Sequence, residues 1–278
     1  MPELPEVEEA RRLAERVARG RRIVEVRCAD DPIVFAGVSS ARMTRALRGR
    51  RVRAVRRHGK HLWFELDRRP WPIMHFGMTG GLHTVRGRAV RLVSDGRAAT
   101  VTWPPRFTKL HLTFDDGGEL VMADARRLGR IRLRWDPAKE PPVSLLGYDA
   151  LRDLPTPRRF LEMVAGRGAP VKALLLDQSF AAGVGNWIAD EVLYQARIDP
   201  RRRANTLRPP EALRLRARIR SVVTRAVMAR SDSDRFPATW LFHRRWGRDA
   251  AARSARGDRI RHDTIGGRTT AWVPAVQR

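Results

Sequence analysis

The apolar residues of this chain change their period partway along it, and that change constrains the fold more than any other feature. Val7, Ala10, Leu13, Ala14 and Val17 recur at helical spacing behind Pro5 and a first turn carrying Glu6, Glu8 and Glu9, so residues 1–18 read as a helix. Period two then takes over. RRIVEVRCAD, RVRAVRRHGKHLWFELD, TKLHLTFDDGGELVMAD and RIRLRWD alternate apolar and polar residues, with turn signals at Asp116-Gly117-Gly118 and Ser94-Asp95-Gly96. Alternation buries one face of each strand and predicts a β-sandwich with helices at its margins, one of them the short helix SSARMTRALRG.

The proline-bearing stretch DPAKEPPVSLLGYDALRDLPTP ends this texture. Beyond it RRFLEMVAG, VKALLLDQ, WIADEVLYQARI and PEALRLRARIRSVVTRAVMA are helical, and DRIRHDTIGGRTTAWV reads as a hairpin turning at Gly266-Gly267. The expected class is α+β. An N-terminal sandwich spans 1–135, a linker 136–155, a helical domain 156–235 and a hairpin tail 236–278.

Charge narrows the partners. Lys+Arg 56 against Asp+Glu 30 gives +26, which argues for a polyanion, nucleic acid well ahead of a merely solvated basic surface. Four of the basic residues are lysines (Lys60, Lys109, Lys139 and Lys172), so arginine dominates, as a GC-rich coding background would also produce. Cys28 is the single cysteine, which excludes an internal disulfide and any cysteine-based zinc finger. The acidic, amphipathic start lacks the apolar stretch of a signal peptide, and no run is long enough to span a membrane. A reducing, cytoplasmic location is expected, at the nucleoid in a bacterial cell.

Several short stretches could carry chemistry. MPELPEVEEARR holds an amine, Pro2 once the initiator methionine is trimmed, in front of a helix start and beside Glu3. In DQSFAAGVGNWIADEVL, Gly183 and Gly185 precede Asn186 at the N-cap of a helix, a ready place for a phosphate, although such junctions as often serve only as caps. Arg268 follows the glycine pair at a protruding tip, where it could reach a phosphate or be a plain surface charge. HFGMTGGLH holds His75 and Met78, the latter an exposed wedge or, taken alone, more simply a core methionine; ADARRLGRI offers Arg126 and Leu128. Lys60 sits where a turn enters a strand, the usual place of a solvated lysine.

The order of these stretches is more informative than any one. PELPEVE, HGKHLWFEL, HFGMTGGL, DARRLG, LLLDQSFAAGVGNWIADEVLYQARIDP and IGGRTT follow one another as they do in the formamidopyrimidine-DNA glycosylase family of base-excision repair enzymes, which the chain resembles over nearly its full length. The resemblance implies an N-terminal β-sandwich, a helix–two-turns–helix domain and a C-terminal hairpin finger. It makes Pro2 the nucleophile that forms a Schiff base with the sugar, followed by β- and δ-elimination. An α-amino group, with a pKa of roughly 7.7–8 against about 10.4 for lysine, is partly unprotonated near neutrality, and the adjacent helix start favours the neutral amine further.

By the same resemblance Glu3 moves protons and Glu6 supports it. Lys60, His75, Asn186 and Arg268 contact phosphates, with Lys60 and Arg268 counted as catalytic, and Met78, Arg126 and Leu128 fill the gap left by an extruded base. Lys172 is counted with the DNA-contacting residues. The implied partner is double-stranded DNA with oxidised bases or abasic sites, bound by a monomer. Where most relatives carry four zinc-binding cysteines this chain has Arg253, Arg256, Val273 and Val276, similar to the zinc-free branch of plants and fungi. No metal and no cofactor are expected, and packing, with Trp272 and Ile265 as candidates, would replace coordination. The short SDSDR segment leaves little room for the loop that caps 8-oxoguanine in bacterial relatives, which favours formamidopyrimidines and hydantoins. The competing classes are a non-catalytic relative that binds damaged DNA and a basic RNA-associated protein. Intact Pro2, Glu3, Lys60 and Arg268 speak against the first, the ordered motifs against the second.

Overall fold

The alternating half of the chain becomes two four-stranded antiparallel sheets in the computed structural model, which describes residues 2–85, 102–247 and 249–278. The turn expected at Ser94-Asp95-Gly96 lies outside the described residues. The chain divides into two units, Met1–Leu145 and Leu146–Arg278, a division that falls inside the proline-bearing 136–155 stretch.

In the first unit the elements are α1 (Leu4–Ala18), β1 (Ile23–Cys28), α2 (Ser40–Leu47), β2 (Val52–His58), β3 (His61–Leu66), β4 (Trp71–His75), β5 (Gly81–His83), β6 (Thr108–Phe114), β7 (Glu119–Ala123) and β8 (Arg130–Arg134). One sheet runs β1-β6-β7-β5, the other β2-β3-β4-β8. Ile23, Leu112, Phe114 and Met122 of the first share one core with Val55, Phe64, Leu66 and Ile131 of the second, so the sheets form the expected sandwich. Val7, Ala10, Leu13 and Ala14 lay the apolar stripe of α1 into the same core. Ser39 caps α2 by accepting the Arg42 amide, and that helix buries Met43 and Leu47.

The second unit holds β9 (Tyr148–Asp149), α3 (Pro157–Ala165), α4 (Val171–Leu176), β10 (Ala181–Ala182), α5 (Asn186–Ala196), α6 (Pro209–Met228), β11 (Arg261–Ile265) and β12 (Arg268–Trp272). Thr156 caps α3 with Pro157 in its first turn, and α6 likewise opens on Pro209 and Pro210. Helix α5 is buried almost all round and takes Asp190 and Glu191 into the interior with Trp187, Ile188, Val192 and Leu193. The 236–278 tail is not a separate piece. Phe236, Trp240 and Phe242 gather around Trp187, with ring centroids 5.6 Å (Trp187–Phe236) and 5.1 Å (Trp187–Phe242) apart. The β11–β12 hairpin turns at Gly266 (φ 60°) and Gly267 (φ 71°), a two-residue turn that needs positive φ at both positions. No helix among the described residues is long and apolar enough to cross a membrane.

Candidate active site and nucleic-acid interface

In the first unit the site begins where α1 begins. Pro2 is buried, and Glu3 and Glu6 close a capping box: the Glu3 side chain accepts the Glu6 amide, and the Glu3 amide donates to Glu6 Oε2 at 2.9 Å. Both carboxylates are 2 % exposed. Burial first, and then the negative charge of Glu3, push the Glu6 pKa up to about 7. At neutral pH that carboxyl is divided between acid and base, beside the residue that carries the amine in question.

One turn further on, Glu8 accepts Arg57 Nε at 2.9 Å, and Arg57 Nη1 donates to the Gly59 carbonyl at 2.9 Å. The buried guanidinium thus ties α1 to the two-residue turn that carries Lys60, which joins β2 to β3. Lys60 is 8 % exposed, so it is held rather than solvated. Across the β3–β4 pairing His61 faces His75, with rings 4.9 Å apart. The Gly77 amide donates to His75 Nδ1 at 3.0 Å, which assigns the ring hydrogen to Nε2 and makes that edge a donor. Burial, then the Lys60 and Arg132 charges, lower the His75 pKa to about 4; burial and its neighbour His75 lower His61 to about 3. Both imidazoles are neutral at pH 7.

Beyond His75 the chain enters the loop that carries Met78, which is half-buried and outside the main core, contrary to the simpler core reading. Gly77 (φ 63°) presses against Leu128: a Cβ there would lie 2.4 Å from the Leu128 carbonyl carbon. The Met78 loop and the Arg126–Leu128 loop are therefore neighbours. Asp124, nearly fully buried, fixes both, accepting from the Thr79 hydroxyl and the Arg126 amide at 3.2 Å and from the Gly129 amide at 2.6 Å. Arg127, with φ 56°, turns away to grip Asp31 with two bonds of 3.0 Å, and Lys109 joins at 2.8 Å. Arg127, desolvation notwithstanding, and Lys109 hold the Asp31 carboxyl well below the usual carboxylate range. Arg126 and Leu128, the latter 39 % exposed, are left pointing outward, as wedge residues require.

In the second unit the focus is the start of α5. Its N-cap is Gly185, without a side-chain cap, and Asn186 is the first helical residue rather than the cap itself. The Asn186 amide nitrogen donates to the Thr269 carbonyl at 2.9 Å, next to Arg268 in β12. Gly266 packs against Ala173 at the start of α4, so close that an added Cβ would meet the Ala173 Cβ at 3.0 Å. Gln178 spans the loop before α5, donating to the Leu176 and Val184 carbonyls at 2.9 Å and accepting the Gly183 amide at 3.1 Å. Asn186 and Arg268 are thus brought close together in the fold.

Lys172 has a different place from the expected one. It is 0 % exposed, donates to the Asn186 carbonyl at 3.0 Å and is ion-paired with Asp190. A side chain sealed inside the unit cannot meet a phosphate; it holds the backbone at the start of α5. Asp190 is the centre of this arrangement, accepting also Arg245 Nε at 3.0 Å and the Ala271 amide of β12 at 3.2 Å. Its neighbour Glu191 accepts the Phe242 amide at 2.9 Å and, through burial, has its pKa raised to about 7. Two successive carboxylates of α5 therefore fasten the finger.

The four positions where relatives carry cysteines hold no metal-binding donor, and zinc does not fit them. Among the described residues no group of three His, Cys, Asp or Glu is gathered as a metal site would need. Val273 packs in a cluster with Leu241, Ile260 and Ala271, against which Tyr194, Ala252 and Val276 also lie. The expected partner Trp272 is engaged elsewhere: it donates to Asp263 at 2.7 Å and lies under the Arg201 guanidinium. Ile265 is buried at the hairpin end but is not part of that cluster.

Arg57, His61, Asp124, Asp190 and Arg245 were not singled out by sequence. Arg57 precedes HGKH and His61 closes it, and Asp124 opens DARRLG and binds the Arg126 and Gly129 amides of the same motif, so these three could have been; Asp190 and Arg245 meet across 55 residues.

Proton-handling side chains around one helix start, and an uncapped helix start tied to an arginine-bearing hairpin, define an enzyme of nucleic acids. A family model for the formamidopyrimidine-DNA glycosylase N-terminal domain matches residues 1–131, and one for the formamidopyrimidine-DNA glycosylase H2TH domain matches residues 146–237. The formamidopyrimidine-DNA glycosylase of Arabidopsis thaliana is 41% identical over 279 residues, covering 100% of this chain and 71% of its own. The crystal structure of the MutM (Fpg) protein from Thermus thermophilus is 32% identical, with a TM-score of 0.77 over 99% of this chain and 98% of that one. A Lactococcus lactis Fpg mutant in complex with a Fapy-dG containing DNA superimposes with a TM-score of 0.81 at 25% identity, over 100% of each chain. The chain belongs to the formamidopyrimidine-DNA glycosylase family.

Proposed function

We propose that the amine of Pro2, freed by removal of the initiator methionine, attacks C1′ of a damaged nucleotide and that the protein thereby excises oxidised purines and cuts the strand. The protein is a base-excision DNA glycosylase with lyase activity, and its partner is double-stranded DNA that carries oxidised bases or abasic sites. The observation that carries the nucleophile assignment is the capping box of Glu3 and Glu6 around Pro2, with Glu6 titrating near 7.

The nitrogen lone pair forms the N–C1′ bond as the bond from C1′ to the base breaks. Glu3, charged at rest, takes the proton that the amine sheds and passes it to the departing base, with Glu6 supporting it through the capping box. The aminal so formed opens its sugar ring, the C1′–O4′ bond breaking as O4′ takes a proton from the Glu3–Glu6 pair. The resulting iminium acidifies the C2′ hydrogen and permits β- and then δ-elimination. Neutral His75 offers its Nε2–H to a phosphate, with Lys60, Asn186 and Arg268 supplying further phosphate contacts. Met78, Arg126 and Leu128 occupy the space of the extruded nucleotide.

Formamidopyrimidines and hydantoins are the favoured lesions over 8-oxoguanine. In support, α6 gives way within a few residues to a tight turn, Ser233–Arg235, capped by Asp232, which leaves little chain for a base-capping loop. The enzyme works as a monomer in the cytoplasm, at the nucleoid of a bacterial cell, and requires no zinc: elemental analysis should find no stoichiometric metal, and chelator should leave activity intact. One tightly held zinc per chain would sink that part.

The test is borohydride trapping on duplexes with an abasic site or a hydantoin, followed by mapping of the cross-linked peptide. An adduct on Pro2, absent in Pro2→Gly and when Met1 is retained, is the expected result. Tight binding with neither adduct nor strand cleavage would contradict it.

A further inference from the structure

At the C-terminal end of α5 the second unit has a bowl of about 770 Å³ lined by Arg197, Arg202, Arg208, Arg214, Arg256 and Arg278. Glu211 is the one acidic side chain among the described residues that line it. Its charge is already used: Arg202 grips both carboxylate oxygens, at 2.9 and 3.1 Å, and Arg208 adds a side-chain contact of 3.3 Å and a backbone one of 2.8 Å. Those bonds hold the Glu211 carboxyl well below the usual range, with Arg202 as the largest cause. Arg214 donates to the Ala196 carbonyl at 2.7 Å and closes the helix end. Arg197, Arg256 and Arg278 are exposed and, among the described residues, not ion-paired. Among the described residues that line the bowl, six arginines stand against the single carboxylate of Glu211.

Arg197 is informative in a second way. It ends α5 in the left-handed conformation, φ 56° and ψ 41°, where glycine is the residue that fits without strain. An arginine stands there instead, and its side chain lines the bowl. The bowl is also separate from the phosphate contacts discussed above. Asn186 is the first residue of α5 and Arg197 follows the last, roughly 16 Å away along the axis at about 1.5 Å per residue.

We propose that this bowl is a second anion site, one that takes clustered phosphates independently of the contacts at Asn186 and Arg268. Guanidinium forks pair with phosphate oxygens two bonds at a time, and only a multiply charged ligand can engage several of these arginines at once. Clustered phosphates come either from a second stretch of DNA backbone or from a free oligophosphate.

The experiment uses the full chain at physiological ionic strength. Inorganic triphosphate is titrated calorimetrically into the protein alone and into protein saturated with a short abasic duplex, and a gel-shift assay asks whether the saturated complex takes up a second, undamaged duplex. The site predicts triphosphate binding in both states, weakened at least tenfold in Arg197→Gly combined with Arg256→Ala. Arg197→Gly alone should not lower the melting temperature, since glycine suits the backbone there. A second duplex bound by the wild type and lost in the double variant identifies DNA as the source; triphosphate binding without it identifies a free oligophosphate. Absence of both, displacement of triphosphate by the abasic duplex, or undiminished binding in the double variant would overturn the proposal. Borohydride trapping on the same samples, expected unchanged, separates failure of this site from failure of the catalytic reading.

Discussion

Two helices of this protein begin at candidate DNA-contacting residues, and they treat their N-termini in opposite ways. The start of α1 is closed by the chain's own carboxylates, Glu3 and Glu6, which satisfy the first amides and leave Pro2 buried beside them. The start of α5 is left without a side-chain cap behind Gly185, and the Asn186 side chain bridges to the hairpin instead. A helix start filled with its own acids has protons to move; one left open has amides to offer a phosphate. Ionisation differs in part. Around α1 Glu6 is raised to about 7 and His61 and His75 are lowered to about 3 and 4, while in α5 Asp190 is matched by Lys172 and Arg245 and its neighbour Glu191 is raised to about 7 by burial. On the proposed reading the first region serves chemistry and the second position.

The largest way to test this contrast is to remove the charge that organises the second region. Asp190→Ala leaves Lys172 and Arg245 buried without their partner, which costs about 3–5 kcal/mol. Thermal denaturation should show that loss in the unit 146–278, and DNA binding should fall with it. A variant as stable as the wild type would mean that the network does not hold the finger.

A second test separates the two raised carboxylates by pH. Glu6 and Glu191 each keep a proton in the fold that the unfolded chain has released between pH 4.5 and about 7. Stability contributed by each therefore falls as pH rises through that window, by about 3 kcal/mol for a shift of this size, and is level above it. His61 and His75 act in the opposite sense, costing stability as pH falls below 6.5, so the informative quantity is the difference between variant and wild type. Relative to wild type, Glu6→Gln and Glu191→Gln should each gain about 3 kcal/mol as pH rises across that window. Only Glu6→Gln should also remove an ionisation near 7 from the pH dependence of kcat/KM. The same change in activity from Glu191→Gln would break the comparison.

The smallest effect belongs to Leu128. It is exposed, so Leu128→Ala should change stability by under ~0.5 kcal/mol. Excision from an intact duplex should nevertheless slow, while trapping at a preformed abasic site stays the same, because only the former must force a base out of the stack. Equal slowing on both substrates would remove Leu128 from the wedge.

What was legible in the sequence was local. The start of α1 at Pro5 with its acidic first turn lies within a few residues, the Lys60 turn and the Gly266-Gly267 turn within two, and the alternation that makes the sandwich is a property of each strand alone. The capping box of Glu3 and Glu6 was equally local but was not read. Arg57 and Glu8 are 49 residues apart, and Asp190 meets the Ala271 amide across 81, so nothing in a linear reading pairs them. Lys172 was visible as a rare lysine, but its burial depends on Asp190 and Asn186, and without that partner it reads as a surface charge. Val273 was readable as a residue that cannot bind zinc; that it packs on Leu241 and Ile260 depends on how the finger folds back.

The most direct test of the division between chemistry and position is single-turnover kinetics on a lesion duplex, with enzyme concentration varied, for Glu3→Gln and Asn186→Ala. Glu3→Gln should lower the rate at saturation by about 10²–10⁴-fold with Kd nearly unchanged. Asn186→Ala should weaken Kd by about tenfold, the size of a lost hydrogen bond to a charged group, and leave the saturated rate within a factor of a few. Weakened binding with a normal saturated rate in Glu3→Gln, or a collapsed saturated rate with normal Kd in Asn186→Ala, would contradict the assignment of the two helix starts.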